Sequence, residues 1–261
     1  MFWLRALILA GTLTGSAGIA LAEEYPPRWS PALSLNSLDD LERRVQAPLW
    51  NRAGIILARR WRYVGQGQAP DPVEPHRIVS CADYWAADLA HLKTGSQSDH
   101  NLLGEFAATC TALNALRSAQ SARKSFVSDF RLDERAADVL PAGIAIPINP
   151  VEQRDIDTAN AKGWSWRQWH GSRKSGLETA LEATDGSVTF EWTRVRSRME
   201  ILASGDFSGD GVEDLLLRVS EWPGYAHASR SKALLVTRQK EGAPMHILSW
   251  PRTDETAIHD K

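Results

Sequence analysis

Met199-Glu200-Ile201-Leu202-Ala203-Ser204-Gly205-Asp206-Phe207-Ser208-Gly209-Asp210-Gly211-Val212-Glu213-Asp214-Leu215-Leu216-Leu217-Arg218-Val219 reads as a strand, a tight loop and a second strand. Met199 to Ala203 is a short apolar run, and Leu215, Leu217 and Val219 alternate onto one face after the loop. Counted from Asp206, oxygen-bearing side chains fall at positions 1, 3, 5 and 9, with glycine at position 6. A hard cation such as calcium takes several oxygen ligands from one turn, and this spacing supplies them. Asp206, Ser208, Asp210 and Asp214 are the expected side-chain ligands, with Val212 giving a backbone carbonyl. Gly211 is expected in the left-handed conformation, which side chains disfavour.

The loop resembles the calcium loops of FG-GAP repeats of the integrin-α type, which read roughly Asp-x-Asn-x-Asp-Gly-x-x-Asp-Leu. The resemblance covers about a dozen residues. It departs at the third position, where Ser208 offers a weaker, neutral ligand. It is not an EF-hand, because position 12 is Leu217 rather than a bidentate glutamate. Such loops recur once per repeat in those families. The single copy here gives no support to a propeller or solenoid. The resemblance implies calcium binding, and a structural role suits an ion that ties three carboxylates between two strands.

Outward from the loop the pattern stays β. Leu177, Thr179, Leu181 and Ala183 share one strand face, Asp185-Gly186 is a hairpin turn, and Val188, Phe190 and Trp192 share a face on the return. Glu221 to Ser231 reads as a long hairpin loop, Ala233 to Thr237 as the next strand and Ile247-Leu248 as a last one. The result is an antiparallel meander of about five strands over residues 147–261. Pro147 and Pro150 mark its boundary with a mainly helical region, 23–146. The expected fold class is therefore α+β.

In the helical region, Ser37 opens one helix and Leu132 to Leu140 suggests another short one. Ser80-Cys81-Ala82-Asp83 reads as a capping box opening a helix to about Lys93, and Asp99 caps a second to about Ser118. In an antiparallel pair, Cys81 and Cys110 would sit at nearly the same height. Two cysteines in an exported chain most simply form one disulfide.

Export is expected from residues 1–22. Arg5 precedes an uncharged apolar stretch, and Ala20-Leu21-Ala22 is a cleavage pattern. Without Arg5 the chain has 29 basic and 32 acidic residues. That balance gives no electrostatic reason to expect nucleic acid. No transmembrane segment is expected in the mature chain. The protein is placed in the periplasm or outside the cell.

Other candidates are recognition residues. Trp164 to His170 is read as an aromatic strand whose exit presents Trp169, and Trp222 and Tyr225 mark the tip of the long loop. Arg194, Arg196 and Arg198 alternate into a cationic strip or, more simply, a solvated strand end. No HExxH, GxSxG or nucleotide-binding glycine loop occurs, and no catalytic residue is assigned. These features favour an exported calcium-binding interaction module whose partner is another protein or a cell-envelope polymer. The alternatives are a hydrolase using dispersed carboxylates and a periplasmic inhibitor or immunity protein.

Overall fold

The computed structural model describes residues 24–49, 54–59, 76–87, 92–94, 96–173, 177–184, 186–193, 195–223 and 229–248. The expected leader over 1–22, Asp185, Arg194 and Tyr225 lie outside them.

An α+β architecture is present. The main sheet is an antiparallel meander of six strands in chain order: β5 (Leu177–Thr184), β6 (Ser187–Trp192), β7 (Val195–Gly205), β8 (Asp214–Pro223), β9 (Arg230–Thr237) and β10 (His246–Ile247). A seventh strand, β1 (Arg28–Trp29), pairs with the far end of β7 at Ser204 and Ala203. Gly186 turns the β5–β6 hairpin with φ 83°. Val188, Phe190 and Trp192 share the buried face of β6, as their alternation requires.

The helices are α1 (Leu41–Gln46), α2 (Cys81–Ala86), α3 (Gln97–Leu116), α4 (Ala136–Val139), α5 (Pro150–Ala161) and α6 (Trp166–Ser172). They cover both faces of the sheet. On one face Trp166, Trp169, Ile156 and Leu140 pack with Phe190, Trp192, Met199, Leu215, Leu217 and Val219. On the other, Phe106, Cys110, Leu113 and Leu116 of α3 pack with Leu202, Leu216 and Leu235. This explains the unbroken Leu215-Leu216-Leu217 run, because a strand covered on both sides has no polar face. The two regions separated at residue 147 thus share one sheet.

Beside its helices the N-terminal region carries β2 (Ile55–Arg59), β3 (His76–Ile78) and β4 (Leu92–Thr94), a small second sheet. Three expectations need correction. The first member of the helix pair ends at Ala86, and Leu92 and Lys93, expected to continue it, pair instead with β2, opposite Arg59 and Ala58. Strand pairing here outweighs local helix preference. Pro150 does not break structure but opens α5 at its first position behind the Asn149 cap. Trp164 to His170 is not a strand. Ser165 and Gln168 form a capping box, and Trp166, Trp169 and His170 then fall on one buried helix face.

The disulfide forms between Cys81, at the first position of α2, and Cys110, in the second half of α3, with Cα atoms 5.3 Å apart. Ser96, three residues before Asp99, is the actual cap of α3.

Candidate metal centre

The Asp206–Asp214 loop is built by backbone geometry. Gly209 and Gly211 take φ of 80° and 82°, so the expected left-handed residue is confirmed and a second one accompanies it. Asp206 is the organiser. Its Oδ1 accepts from the Gly209 amide at 2.6 Å and its Oδ2 from the Gly211 amide at 2.7 Å. Asp214 closes the other side, its Oδ2 accepting from Phe207 and Ser208 amides at 3.1 and 3.2 Å. Asp210 Oδ1 accepts from the Val212 amide at 2.8 Å. Asp206 and Asp214 are buried, whereas Ser208 and Asp210 are exposed. The loop therefore has a floor of carboxylate and a mouth open to water.

Charge is concentrated on that floor. Burial raises the affinity of Asp214 for protons; the neighbouring Thr237 hydroxyl and the Phe207 amide oppose this, and the nearby Asp210 and Asp206 charges reinforce it. The Thr237 hydroxyl is close enough to favour the charged carboxylate, yet neither Thr237 Oγ1 nor Asp214 Oδ1 completes a hydrogen bond. Asp214 is fully buried, so its Oδ1 is an acceptor without a donor, an arrangement that costs free energy. Asp210 behaves oppositely. Burial is its largest single influence and raises it, but bonds from the Val212 amide, Gln239 and Ser208 together hold it below the usual carboxylate range.

The loop is anchored from outside by a segment that the sequence left unread. Gln120 and Asp206 exchange both backbone hydrogen bonds at 2.9 Å. The Gly211 carbonyl accepts from Arg123 and Lys124 amides at 2.9 and 3.1 Å. A side chain at Gly211 would meet the Arg123 guanidinium at 2.9 Å. Buried Glu213 pairs with Arg28 at 2.6 Å, tying β1 to the loop. Among the described residues, no three His, Cys, Asp or Glu side chains converge as a metal-ligand set. The carboxylates are near enough to feel one another but are held apart by the amides they accept. The donor set nevertheless fits a hard cation: three carboxylates, one hydroxyl and the Val212 carbonyl, with one buried oxygen left unpaired.

The recognition candidates fare differently. Trp169 is buried at 4% exposure, with the Arg173 guanidinium 5.1 Å over its ring, so it is a core residue and not an exposed anchor. Trp222 is half-buried within β8 opposite Arg196, so the expected long loop is shorter than Glu221 to Ser231. Arg196 pairs with Glu191 at 3.3 Å and Arg198 with Glu200 at 3.2 Å, as a solvated strand end would.

A second buried polar group was not anticipated. Glu221, near the end of β8, is 8% exposed, and burial pushes its carboxyl up to about 7. Lys232 and the Ile146 amide pull it down, and Glu152 pushes it further up. The alternation of Leu217, Val219 and Glu221 on β8 was the available signal, since it places Glu221 on the buried face. Against all of this geometry, scans of family models, curated proteins and solved structures each found no match.

Proposed function

We propose that this is an exported calcium-binding protein in which Asp206, Ser208, Asp210, Val212 and Asp214 hold one ion. The observation that carries the reading is Asp214 Oδ1, a fully buried carboxylate oxygen with no hydrogen-bond donor, inside a loop whose other ligand candidates are also oxygens. The ion would neutralise the mutual repulsion of Asp206, Asp210 and Asp214. It would thereby fix the β7–β8 connection and, through Gln120, Arg123 and Lys124, the chain that leaves α3. Its role is structural, and affinity in the range of extracellular modules, roughly 0.1–1 mM, suits a loop with a neutral serine ligand.

The functional reading that follows is an interaction module of the periplasm or exterior, stabilised by calcium and one disulfide, whose partner is a protein or an envelope polymer. Among the described residues no helix is long and apolar enough to cross a membrane. The test is a melting series of the mature protein with calcium, magnesium and chelator. A calcium-specific rise in Tm supports the reading. A Tm indifferent to all three would remove it.

A further inference from the structure

The first described residues of the chain run beside the candidate ion loop. Tyr25 and Ala122 exchange both backbone hydrogen bonds at 2.9 Å, and Ala122 lies between Gln120 and Arg123, which hold the loop. Pro27 packs against Gly205, where an added Cβ would meet the Pro27 Cα at 3.3 Å. β1 then pairs with Ser204 and Ala203, and the Ser30 amide donates to the Leu202 carbonyl at 2.8 Å. Residues 25–30 thus pass from the brace of the loop along the end of β7 that leads into it.

Glu213 joins this segment to the loop. It stands between Val212 and Asp214, two of the expected ligands, and it is fully buried. Its Oε1 accepts from Arg28 Nη2 at 2.6 Å, whereas its buried Oε2 has no donor among the described residues. Its amide donates to the Lys124 carbonyl at 2.8 Å. Arg28 Nε also donates to Ser204 Oγ at 3.3 Å, so the guanidinium is held between β7 and Glu213. Among the described residues Arg28 is the only ion-pair partner of Glu213, and it comes from β1. A buried carboxylate stripped of its cation is costly, and turning it out to water would move the residues on either side of it.

We propose that Arg28 is a positioning residue of the Asp206–Asp214 loop, acting through Glu213, so that docking of residues 25–30 and calcium binding strengthen each other. The proposal rests on the calcium reading of the loop. When docked, the segment fixes Glu213, and with it the Val212 carbonyl and the Asp214 carboxylate. When the loop is occupied, Glu213 stays where Arg28 reaches it. Linkage makes the effect reciprocal, since the factor that docking adds to calcium affinity is the factor that calcium adds to docking. Charge alone acts in the opposite sense, because removing a cation near three carboxylates should tighten the binding of another cation.

Calorimetric calcium titration of the mature wild type, Arg28→Ala and Arg28→Lys separates these effects. Arg28→Ala should weaken calcium binding by about five- to twentyfold, and Arg28→Lys should recover most of the loss. A merely structural Arg28 would lower Tm equally with and without calcium and leave Kd unchanged. Equal or tighter binding by Arg28→Ala would overturn the proposal and leave the calcium site standing. No binding by the wild type would overturn the site and the coupling with it. If Arg28→Ala does not fold, native-state hydrogen exchange of the wild type decides. Calcium should raise protection of the Tyr25, Ala122 and Ser30 amides by a similar factor. Protection there that ignores saturating calcium would overturn the coupling.

Discussion

Asp214 and Glu221 are both buried carboxylates of β8, one at its start and one near its end, pointing to opposite faces of the sheet. In each, burial raises the proton affinity. They differ in what surrounds them. Asp214 has two amides, a hydroxyl and two further carboxylates, with no cationic side chain contributing to its shift. Glu221 has Lys232 and Arg230 beside it. The first arrangement lacks positive charge that an ion from solution can supply, and the second carries its own. One strand thus carries a carboxylate set among amides and other carboxylates and another set beside two cations.

The largest effect expected on the Glu221 face comes from a neighbour. His170 stacks on Trp192 with centroids 3.9 Å apart, and burial, then Arg173, lowers it to about 3. A depressed histidine contributes stability above its unfolded value, near 6.5, that is lost as pH falls toward about 3. Between pH 6.5 and 3.5 this loss should reach about 4 kcal/mol. His170→Phe should lose that much less over the same interval, measured by urea unfolding. Equal acid losses in the two proteins would place the proton sensitivity of this face elsewhere.

On the Asp214 face, the Cys81–Cys110 link closes a 29-residue separation between α2 and α3. Replacing both cysteines with serine should cost about 3–4 kcal/mol, read by denaturant unfolding, because the open chain regains loop entropy. The loss should leave the pH profile unchanged, since that profile belongs to the other face. A changed profile would blur the distinction between the faces.

Glu221→Gln sharpens the contrast between the two ends. The wild-type carboxyl contributes stability that is complete below about 4.5 and lost as pH rises through about 7. The variant should therefore gain about 3 kcal/mol relative to wild type between pH 4.5 and pH 7.5, by urea unfolding at both values. A constant difference across that range would contradict the raised proton affinity. A smaller effect is expected at Trp222, which is half-buried. Trp222→Ala should cost no more than about 1–2 kcal/mol while leaving any calcium response intact. A lost response would connect the two ends of β8.

How these features were written in the sequence differs by region. The meander was legible because Val188, Phe190 and Trp192 alternate, and because the Asp- and Gly-rich stretch from Asp206 to Glu213 interrupts the strands. The disulfide was legible from the expected export leader and the cysteine count, although the helix pair behind it was only half right. What escaped was set by distant pairing or by caps. Residues 92–94 became strand because β2 lies beside them. Ser165 with Gln168, and Asn149 before Pro150, are local helix signals that the aromatic run and the prolines masked. At the candidate metal centre the loop and the left-handed Gly211 were readable from the spacing of Asp and Gly alone. The bracing of the loop by Gln120, Arg123 and Lys124 was not, because it joins residues some ninety positions apart. Glu221 was read as part of a loop tip, and only the observed length of β8 returns it to a buried face.

The proposed calcium site is a single loop, Asp206 to Asp214. Calorimetric titration of the mature protein with calcium, run beside Asp210→Ala, tests it most directly. Asp210 is exposed, so its loss should leave the fold intact while removing a ligand and part of the negative charge. The account predicts one saturable site in the wild type, with a Tm that rises with calcium as mass action requires, and loss of both in the variant. No binding at millimolar calcium, or unchanged binding in Asp210→Ala, would contradict it.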